Sequence, residues 1–168
     1  MRRVLIIGPC GSGKSTLARD VAPRLGLPLV HMDQLGWQPG WIETGKAELF
    51  TRLAQVVAQD SWLIEGNYGS TLAVRLARAD TVIYLDYPIL LCLWRLARRI
   101  TTLRGQSRPD MPADCPERFD AAFFWYVMNW NTGPRPRTEA ALANFEGELV
   151  RLKSPAQLVR WRESHNLG

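Results

Sequence analysis

Val4-Leu5-Ile6-Ile7-Gly8-Pro9-Cys10-Gly11-Ser12-Gly13-Lys14-Ser15 is the stretch on which the fold turns. Four apolar residues of strand character run into a Gly-x-x-x-x-Gly-Lys-Ser loop, and the residues from Ser15 to Leu25 continue with helical spacing. Glycines in such a loop let backbone N–H groups wrap phosphates, and the N-terminus of the next helix adds partial positive charge. The strand before the loop and the helix after it separate this match from a chance turn.

Outward from that unit, short apolar runs alternate with amphipathic stretches, the pattern of strands joined by crossover helices in a parallel sheet. The expected strands are Val4 to Ile7, Leu29 to His31, Trp62 to Glu65, Thr81 to Asp86 and Glu148 to Lys153. Helices are expected from Ser15 to Leu25, Lys46 to Ala58, from a cap at Ser70, from Pro88 toward Arg104, over Glu117 to Trp130, and after the Ser154 cap. Gln34 to Trp41, rich in Gly, Pro and Trp, reads as a loop. Phe119, Phe123, Phe124 and Tyr126 read as a core stripe. The fold class is α/β, a three-layer P-loop NTPase fold with a five-stranded parallel sheet flanked by helices and an arginine-rich lid segment. The 168 residues form a single domain, 1–168, with the lid-like excursion at about 104–137.

Composition narrows the function classes. The three cysteines, Cys10, Cys92 and Cys115, lie far apart and offer neither a disulfide framework nor a zinc spacing. Gly8-Pro9 ends the N-terminal apolar run before a secretory signal forms, and Pro88 to Leu96 is too short to cross a bilayer. A cytoplasmic, membrane-free protein is the expectation. The net charge of +5 is weak support for a polyanion partner, but eight arginines lie between Arg95 and Arg137 against four acids.

The loop implies a nucleoside triphosphate, with ATP as the default, and Mg2+. Gly8, Pro9, Cys10, Gly11, Ser12, Gly13, Lys14, Ser15 and Thr16 are the binding candidates. Lys14 is expected to reach the outer phosphates and Ser15 to ligate the cation, while Thr16 serves the helix more than the metal. A second acid is needed near the cation. Glu65 and Asp86 both end apolar strands, and on residues alone the longer apolar lead-in favours Asp86.

The phosphate loop, the basic helix after the fourth strand and the arginine-rich excursion together resemble the adenylate-kinase-like small-molecule kinases. Leu27 to Asp33, Gly36-Trp37, Glu65 to Tyr68, Leu91 to Arg95, Arg108 to Met111 and Cys115 to Arg118 are similar to a group labelled topology modulation proteins. The resemblance implies transfer of the γ-phosphoryl group to a small acceptor that the sequence does not name. It places the cation's acid at Glu65-Gly66, where that family has Asp-Gly, and implies that Arg95 and Arg99 close over the phosphates. Arg108, Arg135 and Arg137 are further lid candidates. Asp33 would orient or deprotonate the acceptor hydroxyl. Arg95, Ser154 and Pro155 would flank the base.

His31 reads as structural, and Trp37 and Trp41 either stack on a flat acceptor or pack. The rival reading is an ATP-binding regulatory or DNA-topology-associated protein. It is less favoured, because no helix-turn-helix, zinc finger or RNA-binding motif accompanies the arginines. Oligomeric state is not legible.

Overall fold

The computed structural model describes residues 1–167. In chain order its elements are β1 (Arg3–Ile7), α1 (Lys14–Leu25), β2 (Leu29–His31), α2 (Met32–Gly36), β3 (Trp37–Gln38), β4 (Ile42–Glu43), α3 (Lys46–Val57), β5 (Trp62–Glu65), α4 (Leu72–Leu76), β6 (Thr81–Leu85), α5 (Ile89–Thr102), α6 (Ala121–Met128), α7 (Pro134–Leu142), β7 (Glu148–Leu152) and α8 (Pro155–Ser164). A five-stranded sheet runs β2-β5-β1-β6-β7, and all its pairings are parallel. β1 is central, with Leu5 opposite Ile64 on one side and Val82 on the other.

Because successive strand residues face opposite ways, β1 feeds two cores. Val4 and Ile6 join Leu17 and Val21 of α1 and Trp161 of α8. Leu5 and Ile7 join Leu53 of α3, Leu72 of α4 and Leu142 of α7. These side chains are almost wholly removed from water, each contributing about 1.5–3 kcal/mol on burial. The result is the three-layer α/β architecture expected, with β1 entering the phosphate loop at the carboxyl edge of the sheet, where such folds bind ligands.

Several elements depart from expectation. Gln34 to Trp41 is not a plain loop: α2 supplies its first residues, and Trp37–Gln38 pairs antiparallel with Ile42–Glu43. Ser70 caps nothing; it lies in a 3-10 turn, Gly69–Thr71, and α4 begins after Thr71 with no side-chain cap. The helix expected over Glu117 to Trp130 is only α6, capped by the Asp120 carboxylate on the Phe123 amide at 2.9 Å. Its aromatic stripe is not core. Phe119, Phe123 and Tyr126 are exposed, as is Trp125, and Phe124 is half-buried, since α6 buries only Val127. Ser154 does cap α8, accepting from the Gln157 amide.

Asp80 ties the start of the sheet together. Its carboxylate accepts from the amides of Arg2 and Arg3 and from the Thr81 hydroxyl. Burial works to raise its pKa, but the Arg3 amide, the Thr81 hydroxyl and the Arg2 amide outweigh it and hold the carboxyl below its usual value. The stabilisation is therefore complete above the unfolded carboxylate pKa of about 4 and lost as pH falls through the lower folded value. Asp80→Asn is expected to lower stability at neutral pH and to flatten the decline below about pH 4, measured by urea midpoints across the acid range.

Candidate active site

The loop from Gly8 to Gly13 is shaped by what its glycines avoid. At Gly8 a β-carbon would lie 2.5 Å from the Leu85 carbonyl oxygen, and at Gly11 one would lie 2.2 Å from that of Cys92. Gly8, Gly11 and Gly13 all have positive φ, at 145°, 82° and 98°. The loop thus packs against the end of β6 and the first turn of α5, which only hydrogen in place of a side chain permits. Asn67, just past β5, donates to the Gly8 carbonyl at 2.6 Å and accepts from the Gly8 amide at 3.0 Å. Two strand ends are locked by one side chain. Lys14 lies back along the loop, its Nζ donating to the Pro9 carbonyl at 3.0 Å.

A cleft of about 1190 Å³ opens over this loop. Cys10 through Thr16 line its floor; Asp33, Trp37, Trp41, Glu65 and Tyr68 line one wall; Arg95, Arg99, Arg108 and Glu117 close the top; Pro155 and Leu158 stand at the far end. Of the expected site residues the structure gathers Lys14, Ser15, Thr16, Asp33, Glu65, Arg95, Arg99 and Pro155 here. Arg95 crosses to the loop, donating to the Ser12 carbonyl at 3.2 Å, and its guanidinium lies 5.7 Å from the Tyr87 ring. Arg99 bridges the Cys10 sulfur at 3.7 Å and the Glu117 carboxylate at 2.9 Å. Glu65 is buried and bonded to His31 Nδ1 at 2.7 Å, so His31 is structural in holding that acid.

Asp33 keeps access to the cleft, yet burial in the wall and the Glu65 charge raise its pKa against the opposing Arg108 and Lys14. A carboxylate so placed is a stronger proton acceptor than a free one. Arg108 stands 3.8 Å from it. Tyr68 lies beside it, folded into space that Gly36 leaves: a β-carbon on Gly36 would come 2.2 Å from the Tyr68 hydroxyl.

Six expected residues fall outside the cleft lining: Gly8 and Pro9, at the base of the loop, and Asp86, Arg135, Arg137 and Ser154. Asp86 accepts from Arg135 at 2.9 Å and Arg151 at 3.2 Å, so both Asp86 and Arg135 are engaged at the α7–β7 side of the sheet. The strand-end geometry that favoured Asp86 aims it at those arginines, and Glu65 is the acid beside the loop. Arg137 is exposed on α7 with no ion pair among the described residues. Ser154 spends its hydroxyl on the α8 cap.

Arg75 was not legible as a site residue. Its guanidinium, fully buried, donates to the carbonyls of Gly66, Asn67 and Tyr68. It thereby holds the turn that carries Glu65, Asn67 and Tyr68. In sequence it is one arginine on a short amphipathic helix, and nothing local marks it as buried.

No family model matches this chain. A shikimate kinase of Xanthomonas euvesicatoria pv. vesicatoria is 29% identical over 96% of this chain and 94% of that protein. One of Baumannia cicadellinicola subsp. Homalodisca coagulata is 28% identical over 70% and 73%. Among solved structures, shikimate kinase from Acinetobacter baumannii in complex with shikimate superposes with a TM-score of 0.61 at 16% identity, over 99% of this chain and 94% of that one. Deoxyadenosine kinase from M. mycoides with bound dATP gives 0.54 at 14%, over 99% and 100%. The fold is that of these kinases. Together the matches support a P-loop kinase enzyme without naming its acceptor. They bear on the kinase reading and not on the topology modulation label. Among the described residues no helix is long and apolar enough to cross a membrane.

Two substitutions test this geometry. Gly11→Ala is expected to weaken nucleotide binding at least about tenfold, because the added carbon must displace backbone, whereas Gly45→Ala, with open space around it, leaves affinity unchanged in calorimetric titration. Arg75→Ala leaves buried carbonyls unpaired and is expected to cost about 3 kcal/mol or more in denaturant unfolding, with Arg75→Lys recovering only part.

Proposed function

We propose that the protein is an ATP- and Mg2+-dependent phosphotransferase that moves the γ-phosphoryl group to a hydroxyl of a small acceptor. The observation that carries this reading is one cleft holding both the phosphate loop and the Asp33 wall, so donor and acceptor can meet without either leaving protein cover. Lys14, Arg95 and Arg99 would neutralise charge on the phosphates, with Arg95 and Pro155 flanking the base. Opposing such charge in the transition state is worth about 10³ to 10⁵ in rate where an arginine supplies it.

The residues near Ser15 suit a Mg2+ ion held mainly by the loop hydroxyl and phosphate oxygens. Among the described residues no three His, Cys, Asp or Glu groups stand close enough to hold a metal by themselves. Mg2+ bound to nucleotide needs no such cage, since it keeps several waters and takes one or two carboxylates with the phosphates. When bound, the ion would supply charge neutralisation between the outer phosphates. Glu65, held by His31, would accept from its water shell.

On the acceptor side, Asp33 is the residue proposed to take the hydroxyl proton. Trp37 and Trp41 meet edge to face, with centroids 5.4 Å apart, and Trp41 is pinned by its indole N–H to the Pro116 carbonyl at 3.1 Å. Their nearly perpendicular rings would give a small acceptor an aromatic corner to pack against. The names of the relatives make shikimate and deoxynucleosides the first acceptors to try, followed by nucleoside monophosphates, sugars and hydroxy acids.

The test is ADP formation from Mg2+·ATP across that panel, with a water-only control. Acceptor-dependent turnover is expected for one chemical class. Lys14→Ala is expected to lower turnover by at least about 10³, and Asp33→Asn to lower kcat by about 10² or more with the ATP Kd unchanged. Tight ATP binding with no acceptor effect anywhere on the panel would count against the kinase reading.

A further inference from the structure

The loop after α5 does more than cover the cleft. Asp110, 3% exposed in a stretch with no helix or strand, reaches α1 at Arg19. Its carboxylate accepts from Arg108 at 2.6 Å and stands 3.9 Å from Arg19. Arg19 is four residues beyond Ser15, so the two share a face of α1, and both line the cleft with Asp110.

The placement is built from both sides. Gln34 donates to the Pro109 carbonyl at 3.0 Å, the Gly40 amide to that of Asp114 at 3.0 Å, and Trp41 to that of Pro116 at 3.1 Å. These bonds fasten the loop to the acceptor wall on either side of Asp110. Within the loop, Arg108 also binds Glu117 at 2.9 Å, which in turn holds Arg99. Asp110 therefore meets α1 at Arg19, in the cleft that Ser15 also lines, as the tip of a braced segment and not as a free surface acid.

We propose that Asp110 is the lid's own acid at the cation: it orders water molecules of a divalent ion held by Ser15 and the triphosphate, so that seating the ion and docking the loop are one event. This rests on the nucleotide-binding reading above and adds a residue to it. Outer-sphere action follows from the donor set, because Asp33, Glu65 and Asp110 do not form a cage and Mg2+ retains its waters. Asp110 is a positioning residue in this scheme.

Calorimetric titration of ATP into the full chain, with and without Mg2+, tests it. In Asp110→Asn the Kd for metal-free ATP is expected to stay the same or tighten, while the Mg2+ concentration giving half of the metal's effect rises about tenfold or more. Asp110→Glu is expected to restore part of that shift. An unmoved Mg2+ midpoint in an Asp110→Asn protein that still binds ATP would make Asp110 merely a partner of Arg108 and overturn the proposal alone. Absence of Mg2+·ATP binding by the unaltered protein would overturn the nucleotide reading as well. A second measurement needs no variant: with Mn2+·ATP in place of Mg2+·ATP, the Met111 methyl resonance is expected to broaden while Met1 stays sharp. A sharp Met111 signal in the bound protein would rule the lid acid out.

Discussion

The close pass of Gly8 against the end of β6 is the constraint on which the rest depends. The chain leaves the central strand and must turn without a side chain, because Leu85 occupies the space a β-carbon would need. Asn67 then grips both polar groups of Gly8 from the neighbouring strand end. The phosphate loop is thus fastened to β6 by shape and to β5 by hydrogen bonds. Its amides are oriented by the sheet before any ligand arrives, so little ordering cost is left for binding.

From that point a line of buried polar contacts runs outward. Arg75 holds the turn that carries Asn67, Tyr68 and the end of β5; Glu65 on β5 holds His31 on β2; Asp33 follows His31 by two residues. Each link is a charge-assisted or buried hydrogen bond, and each would be costly to leave half made. The phosphate loop and the Asp33 wall are consequently joined along one edge of the sheet. The lid is joined to the same edge through Arg99, Arg108 and Glu117, whose ion pairs are shielded from water.

The arginines show why charge clustering is an incomplete guide. Arg95 and Arg99 share a helix face and point over the loop, as i,i+4 spacing requires. Arg135 has the same chemistry, but α7 carries it to Asp86 and Glu139 on the other side of β6. Asp86 ends a strand as Glu65 does, yet it faces β7 and α7 instead of the loop. Local sequence could not separate these two acids, because the difference lies in strand order: β5 and β6 flank β1 on opposite sides.

The sequence by itself determined the parallel α/β fold, its five strands and the phosphate loop with Lys14 and Ser15; the resemblance to small-molecule kinases pointed to Asp33, Arg95 and Arg99, which line the same cleft. Periodicity and glycine spacing are local properties, and they suffice for the fold and the loop. Only the tertiary structure decided that α6 turns its aromatics outward, that residues 37–43 form a hairpin, that Arg75 is buried beneath the active-site turn, and that Asp110 returns to α1. Those facts depend on contacts between segments distant in the chain, and burial and pairing of that kind leave no periodic mark on the residues that make them.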